Sequence, residues 1–492
     1  MRIFFLQILG QLLIIIPTLA QTGIYVAELK GFDTRMKTIL TKYSVTGGQL
    51  AVTYQGRLVY NRGFGLADSQ TQQLVQPNSI FRVASVSKAI TSVALMHLYE
   101  TGQVKLDDKV FGTNGILNDT FYQNAIDPRV YTITVRQLMS HSAGYLFVFP
   151  SDPVFQTYNI SIAMGVAPPT DSLELIIKWA LRNVTLNYNP GTSATYTNFA
   201  YAVLEKVIEK ITQKDYEQYI RDSILAPMNI TDMHAARTLK QNKYPNEVSY
   251  YDYPGAPLMT SIFTGIPNSA PATYGGYNYE AMTAAGGWVA SAGDLCKLLV
   301  AVDRYNTKPD FLKPATIDTM VRNSINWPDY ALGWFSKNNN YWHTGGIQGT
   351  AAVIHRNAMH ELNWAILFNA LPANYTPMYN EFMALVLDEF PNITTWPLHD
   401  LFNQQTTSQS LLVSPEISIF PNPCKQNCFV EFGRNLEQGD LELRNILGRL
   451  IFKTSISNSN QVQFNLEDYP SGLYHVVLND GRSVTTKSII IE

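Results

Sequence analysis

Two short apolar stretches, Gln49 to Tyr54 and Leu58 to Gly63, flank the dipeptide Gln55-Gly56. Strand-like patterning on both sides of a glycine turn predicts a β-hairpin that opens an antiparallel sheet. The period then changes. From Ser87 to Glu100 the apolar Ile90, Val93, Ala94 and Leu98 recur at helical spacing, with Gly102 as a stop, which predicts a buried helix beginning at Ser85. Helical patterns also cover Leu173 to Leu181 and Ala200 to Ile211, set among loops rich in Pro, Asn and Tyr. Strand patterns return at Ala351 to His355 and Leu362 to Phe368, followed by an amphipathic helix from Pro377 to Phe390. Strands at both ends with helices between them predict an α+β domain whose sheet joins distant segments.

The patterning fails between Gln404 and Ser410, a polar run with nothing to bury, so a linker is expected over residues 403–414. Beyond it, Ile417 to Phe420, Cys428 to Phe432, Leu441 to Arg444, Leu450 to Lys453, Val462 to Leu466, Leu473 to Leu478 and Ser488 to Ile491 alternate with turn signals. A small β-sandwich over 415–492 is the expectation. At the other end, Met1-Arg2, an apolar run from Ile3 to Ile16 and then Thr18-Leu19-Ala20 have the order of a signal peptide over residues 1–20, cleaved after Ala20. No later segment is long and apolar enough to span a bilayer, so the expected product is exported and has no transmembrane span after cleavage.

Composition narrows the function. A chain of 492 residues with a net charge of -3 has no basic field to attract nucleic acid. Cys296, Cys424 and Cys428 are too few for a disulfide framework. Cys424 and Cys428 either pair locally or stay two thiols near a turn, and Cys296 reads as a core residue. The eight histidines are scattered without metal-ligand spacing, so neither a metal nor an organic cofactor is expected.

The candidate chemistry starts with Ser85-Val86-Ser87-Lys88. On a helix, positions i and i+3 share a face, so the Lys88 amine can reach the Ser85 hydroxyl. Serine is a poor nucleophile alone, and a lysine desolvated enough to lose its proton is a competent base. The helix N-terminus also offers the Ser85 N–H to an oxyanion. A second element, Pro190-Gly191-Thr192-Ser193-Ala194-Thr195-Tyr196-Thr197-Asn198, is a loop entering a helix. There Tyr196 can shuttle a proton, and Asn198 can orient Lys88, bind a substrate carbonyl or simply cap the helix. The third element, His343-Thr344-Gly345-Gly346, lies at a strand end where glycines let another segment approach. It supplies the Gly346 N–H as a second oxyanion donor, unless His343 is only a satisfied core histidine.

Ser-x-x-Lys, Tyr-x-Asn and His-Thr-Gly in this order resemble the three signature motifs of the serine β-lactamase and penicillin-binding superfamily. Leu106 to Val110, Ile133 to Gly144 and Gly286 to Ser291 are similar to further runs of its class C β-lactamase and DD-peptidase branch. The resemblance covers Gly31 to Asn392 and places the hydrolase domain at 31–395. It implies the β-lactamase/transpeptidase-like fold, an antiparallel sheet flanked by helices with a helical subdomain. It also implies Ser85 as acylated nucleophile, Lys88 and Tyr196 as bases, Asn198, His343, Thr344 and Gly345 as substrate contacts, and the Ser85 and Gly346 N–H groups as oxyanion hole. Many β-lactamases carry lysine where His343 stands, and members with histidine resemble DD-peptidases, D-amino-acid peptidases and esterases. The implied substrate is therefore a D-amino-acid peptide, a β-lactam or an ester. A catalytically silent peptidoglycan- or surface-binding protein on the same fold is the alternative. Finally, Ile417 to Pro423, Leu447-Gly448-Arg449, Pro470 to Tyr474 and Lys487 to Ile491 resemble a type IX secretion C-terminal sorting domain. That implies passage by the type IX machinery to the cell surface or medium.

Overall fold

The computed structural model describes residues 20–147, 149–403, 417–445, 449–467, 469–479 and 484–492. The expected signal peptide, apart from Ala20, and the expected linker, apart from Asn403, lie outside those residues. The chain divides into two compact units at Phe402 and Asn403.

In the first unit the hairpin forms as its pattern requires. Gly47–Tyr54 (β2) pairs antiparallel with Arg57–Asp68 (β3), and Gln55 and Gly56 take φ of 49° and 73° in the turn. Gln21–Thr22 (β1) lies outside β3. On the other side, Leu362–Phe368 (β7) pairs with β2, then Thr350–Asn357 (β6), Asn340–Ile347 (β5) and Phe335–Lys337 (β4) complete the order β1-β3-β2-β7-β6-β5-β4. Gln73–Leu74 adds an eighth strand beside β3. The sheet thus joins segments some three hundred residues apart.

Period-two alternation sorts the strand residues between two cores. Leu50, Val52, Val353, Ile366 and Phe368 pack with Phe32, Met36 and Leu40 of Lys30–Lys42 (α1) and with Phe382 and Leu385 of Thr376–Glu389 (α6). Their neighbours Ala51, Ala352, Ile354, Ala365 and Leu367 join the other core with Ser87–Glu100 (α2) and Ala292–Val300 (α5). A sheet covered on both faces explains why these strands read as apolar runs. Each fully buried Leu, Ile or Phe contributes about 1.5–3 kcal/mol. The helical part contains Leu173–Asn183 (α3) and Asn198–Thr212 (α4), with α4 packed on α2 and on the short helix Thr283–Gly286. Helix α1 was not among the elements expected from the sequence: its apolar stripe of Phe32, Met36, Ile39 and Leu40 is narrow and is set among the charged Lys30, Asp33, Arg35, Lys37 and Lys42.

The second unit is strand-rich, with fewer and longer strands than expected. Ile417–Phe420 (β8), Asn427–Asn445 (β9), Leu450–Asn465 (β10), Gly472–Asn479 (β11) and Val484–Ile491 (β12) form one five-stranded sheet. The runs at Cys428 and Leu441 are two ends of β9, and those at Leu450 and Val462 are two ends of β10. An irregularity between Glu431 and Leu436 lets the long β9–β10 ribbon change register without ending. Both ends share one core, in which Val430 and Phe464 meet Leu441, Val476 and Ile489. Cys424 and Cys428 are buried free thiols, as is Cys296 in α5. Among the described residues no helix is long and apolar enough to cross a membrane.

Candidate active site

Ser85 sits in a tight turn, Ala84–Val86, that runs directly into α2. Ala84 holds φ at +46°, a region that costs a residue with a Cβ. The surroundings enforce it. Gly345 of β5 lies against the turn so closely that a Cβ would stand 2.1 Å from the Val83 carbonyl oxygen and 3.1 Å from the Ser85 nitrogen. Glycine is what lets the strand reach the Ser85 turn. Strand β5 turns into β6 through Gln348-Gly349, with Ile347 opposite Thr350. In a two-residue hairpin the closing pair exchanges both bonds, so alternation directs the Gly346 N–H away from β6, toward the open edge beside Ser85.

One helical turn on, Lys88 is fully buried. Its Nζ donates to Ser85 Oγ at 3.2 Å, Asn198 Oδ1 at 2.7 Å and the Ala285 carbonyl at 2.6 Å. Burial lowers its pKa from 10.5 to about 7, against the opposing pull of the Asp152 charge. A lysine in this state is divided between ammonium and free amine at neutral pH.

Tyr196 and Asn198 stand where α4 begins. The Lys88 Nζ lies 4.6 Å from the Tyr196 ring centre. Tyr196 Oη is buried without a hydrogen-bond partner of good geometry, while Ser85 is near enough to favour the phenolate against the burial that raises its pKa. Asn198 is the first residue of α4 and does not cap it. The cap comes from Asp152, which patterning had not singled out: its Oδ2 accepts from Thr197 Oγ1 at 2.8 Å, Asn198 N at 2.7 Å and Phe199 N at 3.2 Å. A buried carboxylate on a helix N-terminus answers both the orphan N–H groups and the dipole. Its sequence signal was Asp152-Pro153, a cap and first-turn proline.

His343 is buried on β5, and its partners assign its tautomer. Thr197 N–H donates to His141 Nδ1, which leaves the proton of His141 on Nε2, 3.2 Å from Tyr330 Oη. Tyr330 in turn stands 3.2 Å from His343 Nε2, and His343 Nδ1 lies 2.7 Å from the Thr344 carbonyl. The only consistent direction runs from His141 through the Tyr330 hydroxyl to His343, whose own N–H donates to Thr344. Burial and the nearby Lys88 charge lower the His343 pKa to about 3, and burial holds His141 well below its ordinary value. Both rings are neutral near pH 7.

These groups surround one cleft of about 770 Å³. Ser85, Tyr196, Asn198, His343, Thr344 and Gly346 line it, while Gly345 lies behind, packed on the Ser85 turn. Of the groups that support the site, Asp152, Ala285 and Tyr330 carried no sequence signal that was used, and His141 stood in a family-like run without an assigned role. A family model described as Beta-lactamase matches residues 32–388. The chain belongs to the β-lactamase family. Its fold is that of a β-lactamase-family serine hydrolase, and residues 418–492 match a Secretion system C-terminal sorting domain.

Among relatives, this β-lactamase-family chain is 24% identical over 347 residues to Protein flp of Staphylococcus aureus (strain MRSA252), covering 70% of this chain and 63% of the relative. The chain therefore spans less than two thirds of that protein. It is 24% identical to Penicillin-binding protein 4* of Bacillus subtilis (strain 168), covering 69% of this chain and 71% of the relative. Solved structures share the fold. The octameric penicillin-binding protein homologue from Pyrococcus abyssi aligns with TM-score 0.55 at 20% identity, over 94% of this chain and 96% of that one. D-amino acid amidase from Ochrobactrum anthropi SV3 aligns with TM-score 0.55 at 19% identity, over 75% and 99%.

Proposed function

We propose that this protein is an exported hydrolase that cleaves an amide or ester bond through an acyl-enzyme on Ser85. The observation that carries the reading is the Lys88 amine, 3.2 Å from Ser85 Oγ and brought by burial to a pKa of about 7. The free amine, assisted by Tyr196, takes the Ser85 proton as Oγ attacks the acyl carbonyl. The Ser85 and Gly346 N–H groups receive the oxyanion. Collapse returns a proton to the leaving amine or alcohol, and water activated by the same base releases the acyl group. Asn198, held through its Oδ1 by Lys88, turns its amide N–H groups to the substrate carbonyl. Thr344 adds a hydroxyl beside it, and Gly345 keeps the strand at the correct depth.

D-amino-acid peptides and amides, esters and β-lactams are the acyl donors this machinery suits, and the similarity to a D-amino acid amidase and penicillin-binding proteins supports the first of them. The sorting domain supports export by type IX secretion machinery to the cell surface or medium. In that reading residues 1–20 are a signal peptide removed after Ala20, 31–395 the catalytic domain, 403–414 a linker and 415–492 the sorting domain. Turnover of an aryl ester and of a D-amino-acid amide tests the activity: both fall to background in Ser85→Ala. Full activity in that variant overturns the proposal.

A further inference from the structure

We infer that the cleft selects acyl donors with an aromatic acyl side chain and no carboxylate, because it offers ring surface and neutral donors but no cation beyond the base itself. The inference rests on the Ser85 hydrolase reading and names its substrate class. Among the described residues that line the cleft there is no lysine or arginine, and Asp152 is the one formally charged side chain. A substrate carboxylate would therefore meet a negative group and no counter-ion.

The position that could supply one, His343, is prevented from doing so. Its Nε2 accepts from Tyr330, its Nδ1–H is given to the Thr344 carbonyl, and His141 fixes the direction of the Tyr330 hydroxyl from behind. Protonating His343 requires Tyr330 to reverse toward His141 Nε2, which already carries a proton. The lock is geometric, and the groups facing it from every packed element are Lys88, Tyr196, Tyr330 and His141, none of them anionic at neutral pH. Burial holds the histidine pKa at about 3, so at mildly acidic pH the only group of the site that gains a positive charge is the Lys88 base itself.

The walls indicate what takes the place of charge. Phe149, 54% exposed, meets Phe155 edge to face with ring centres 5.0 Å apart, and Phe147, Tyr375 and Tyr379 also line the cleft. Rings with open faces reward an aromatic or bulky apolar side chain on the acyl donor. The Thr344 hydroxyl and the Asn198 amide are neutral donors, suited to an uncharged carbonyl.

A matched pair isolates the effect: N-acetyl-D-phenylalanyl-D-alanine amide and the same dipeptide with a free C-terminal carboxylate. Binding is measured by calorimetry on Ser85→Ala and turnover on the unmodified protein. The expected result is at least about tenfold tighter binding of the amide and a similar ratio in kcat/KM, both read at pH 8, where Lys88 is mostly the free amine. His343→Lys, which restores a cation, is expected to narrow or invert it. Equal or tighter binding of the free acid, or no binding of either, overturns the inference. Preferred binding of the amide without turnover leaves the inference standing and removes the hydrolase reading. Turnover without preference does the reverse. If His343→Lys does not fold, the amide-to-acid ratio of the unmodified protein at pH 8 carries the test.

Discussion

Replacing Lys88 with methionine separates what this side chain does for chemistry from what it costs the fold. Its amine titrates at 10.5 when free and at about 7 in the folded protein. Between those values the unfolded chain holds a proton that the native chain has released, so stability rises with pH across that window. The penalty is complete below pH 7, where both states are protonated, and at about 1.36 kcal/mol per pH unit it amounts to about 5 kcal/mol. Methionine removes the titration and keeps the apolar stem, but leaves the Asn198 Oδ1 and Ala285 carbonyl without a donor, at about 1–3 kcal/mol each. The two effects oppose, which makes the absolute stability of the variant uninformative. The pH dependence is decisive. Relative to Lys88→Met, the unmodified protein gains about 3 kcal/mol between pH 6 and pH 9.5, because other titrations are common to both chains. Urea unfolding followed by tryptophan fluorescence at the two pH values measures it. A difference that stays constant within about 1 kcal/mol refutes burial of the amine as the basis of its reactivity.

The same titration governs rate: kcat/KM for an ester is half-maximal near pH 7 and about a tenth of its plateau at pH 6, as the free-amine fraction dictates; a flat profile to pH 5 contradicts the role of Lys88. Asp152→Asn removes the charge that raises the Lys88 pKa and weakens the cap of α4, so the acid limb moves below pH 7 and urea unfolding shows a loss of about 1–2 kcal/mol. Gly345→Ala forces a methyl against the Val83 carbonyl, and acylation measured in stopped flow is expected to fall roughly a hundredfold as the Ser85 turn is displaced.

The framework was legible wherever one period dominated. The hairpin at Gln55-Gly56, helix α2 from Ser87 and strands β6 and β7 followed from spacing alone, because each buries a regular apolar face. Helix α1 was missed because its narrow stripe, Phe32, Met36, Ile39 and Leu40, is flanked on both sides by charged and polar residues, and β9 and β10 were read as four strands because polar residues at the register change resemble a turn. In the cleft, Ser85 and Lys88 were legible through i, i+3 geometry, whereas Tyr196, Asn198 and Gly346 needed the ordered motifs together. Asp152, Tyr330 and the Ala285 carbonyl were not legible, since Asp152 acts on Asn198 46 positions away, Ala285 on Lys88 197 positions away and Tyr330 joins His343 to His141, 189 positions away, through contacts that only the folded chain creates. His343 stood out in the sequence against the lysine that many β-lactamases carry, but its locked tautomer depends on Tyr330 and the Thr344 carbonyl, partners that no local pattern announces.

Intact-protein mass spectrometry after acid quench, during turnover of a 4-nitrophenyl ester of N-acetyl-D-phenylalanine, tests the central claim most directly. The account predicts one acyl group per chain, mapped by peptide digestion to Ser85 and absent from Ser85→Ala. Ester turnover with no adduct on Ser85 under conditions where deacylation limits the rate, or undiminished in Ser85→Ala, would contradict it.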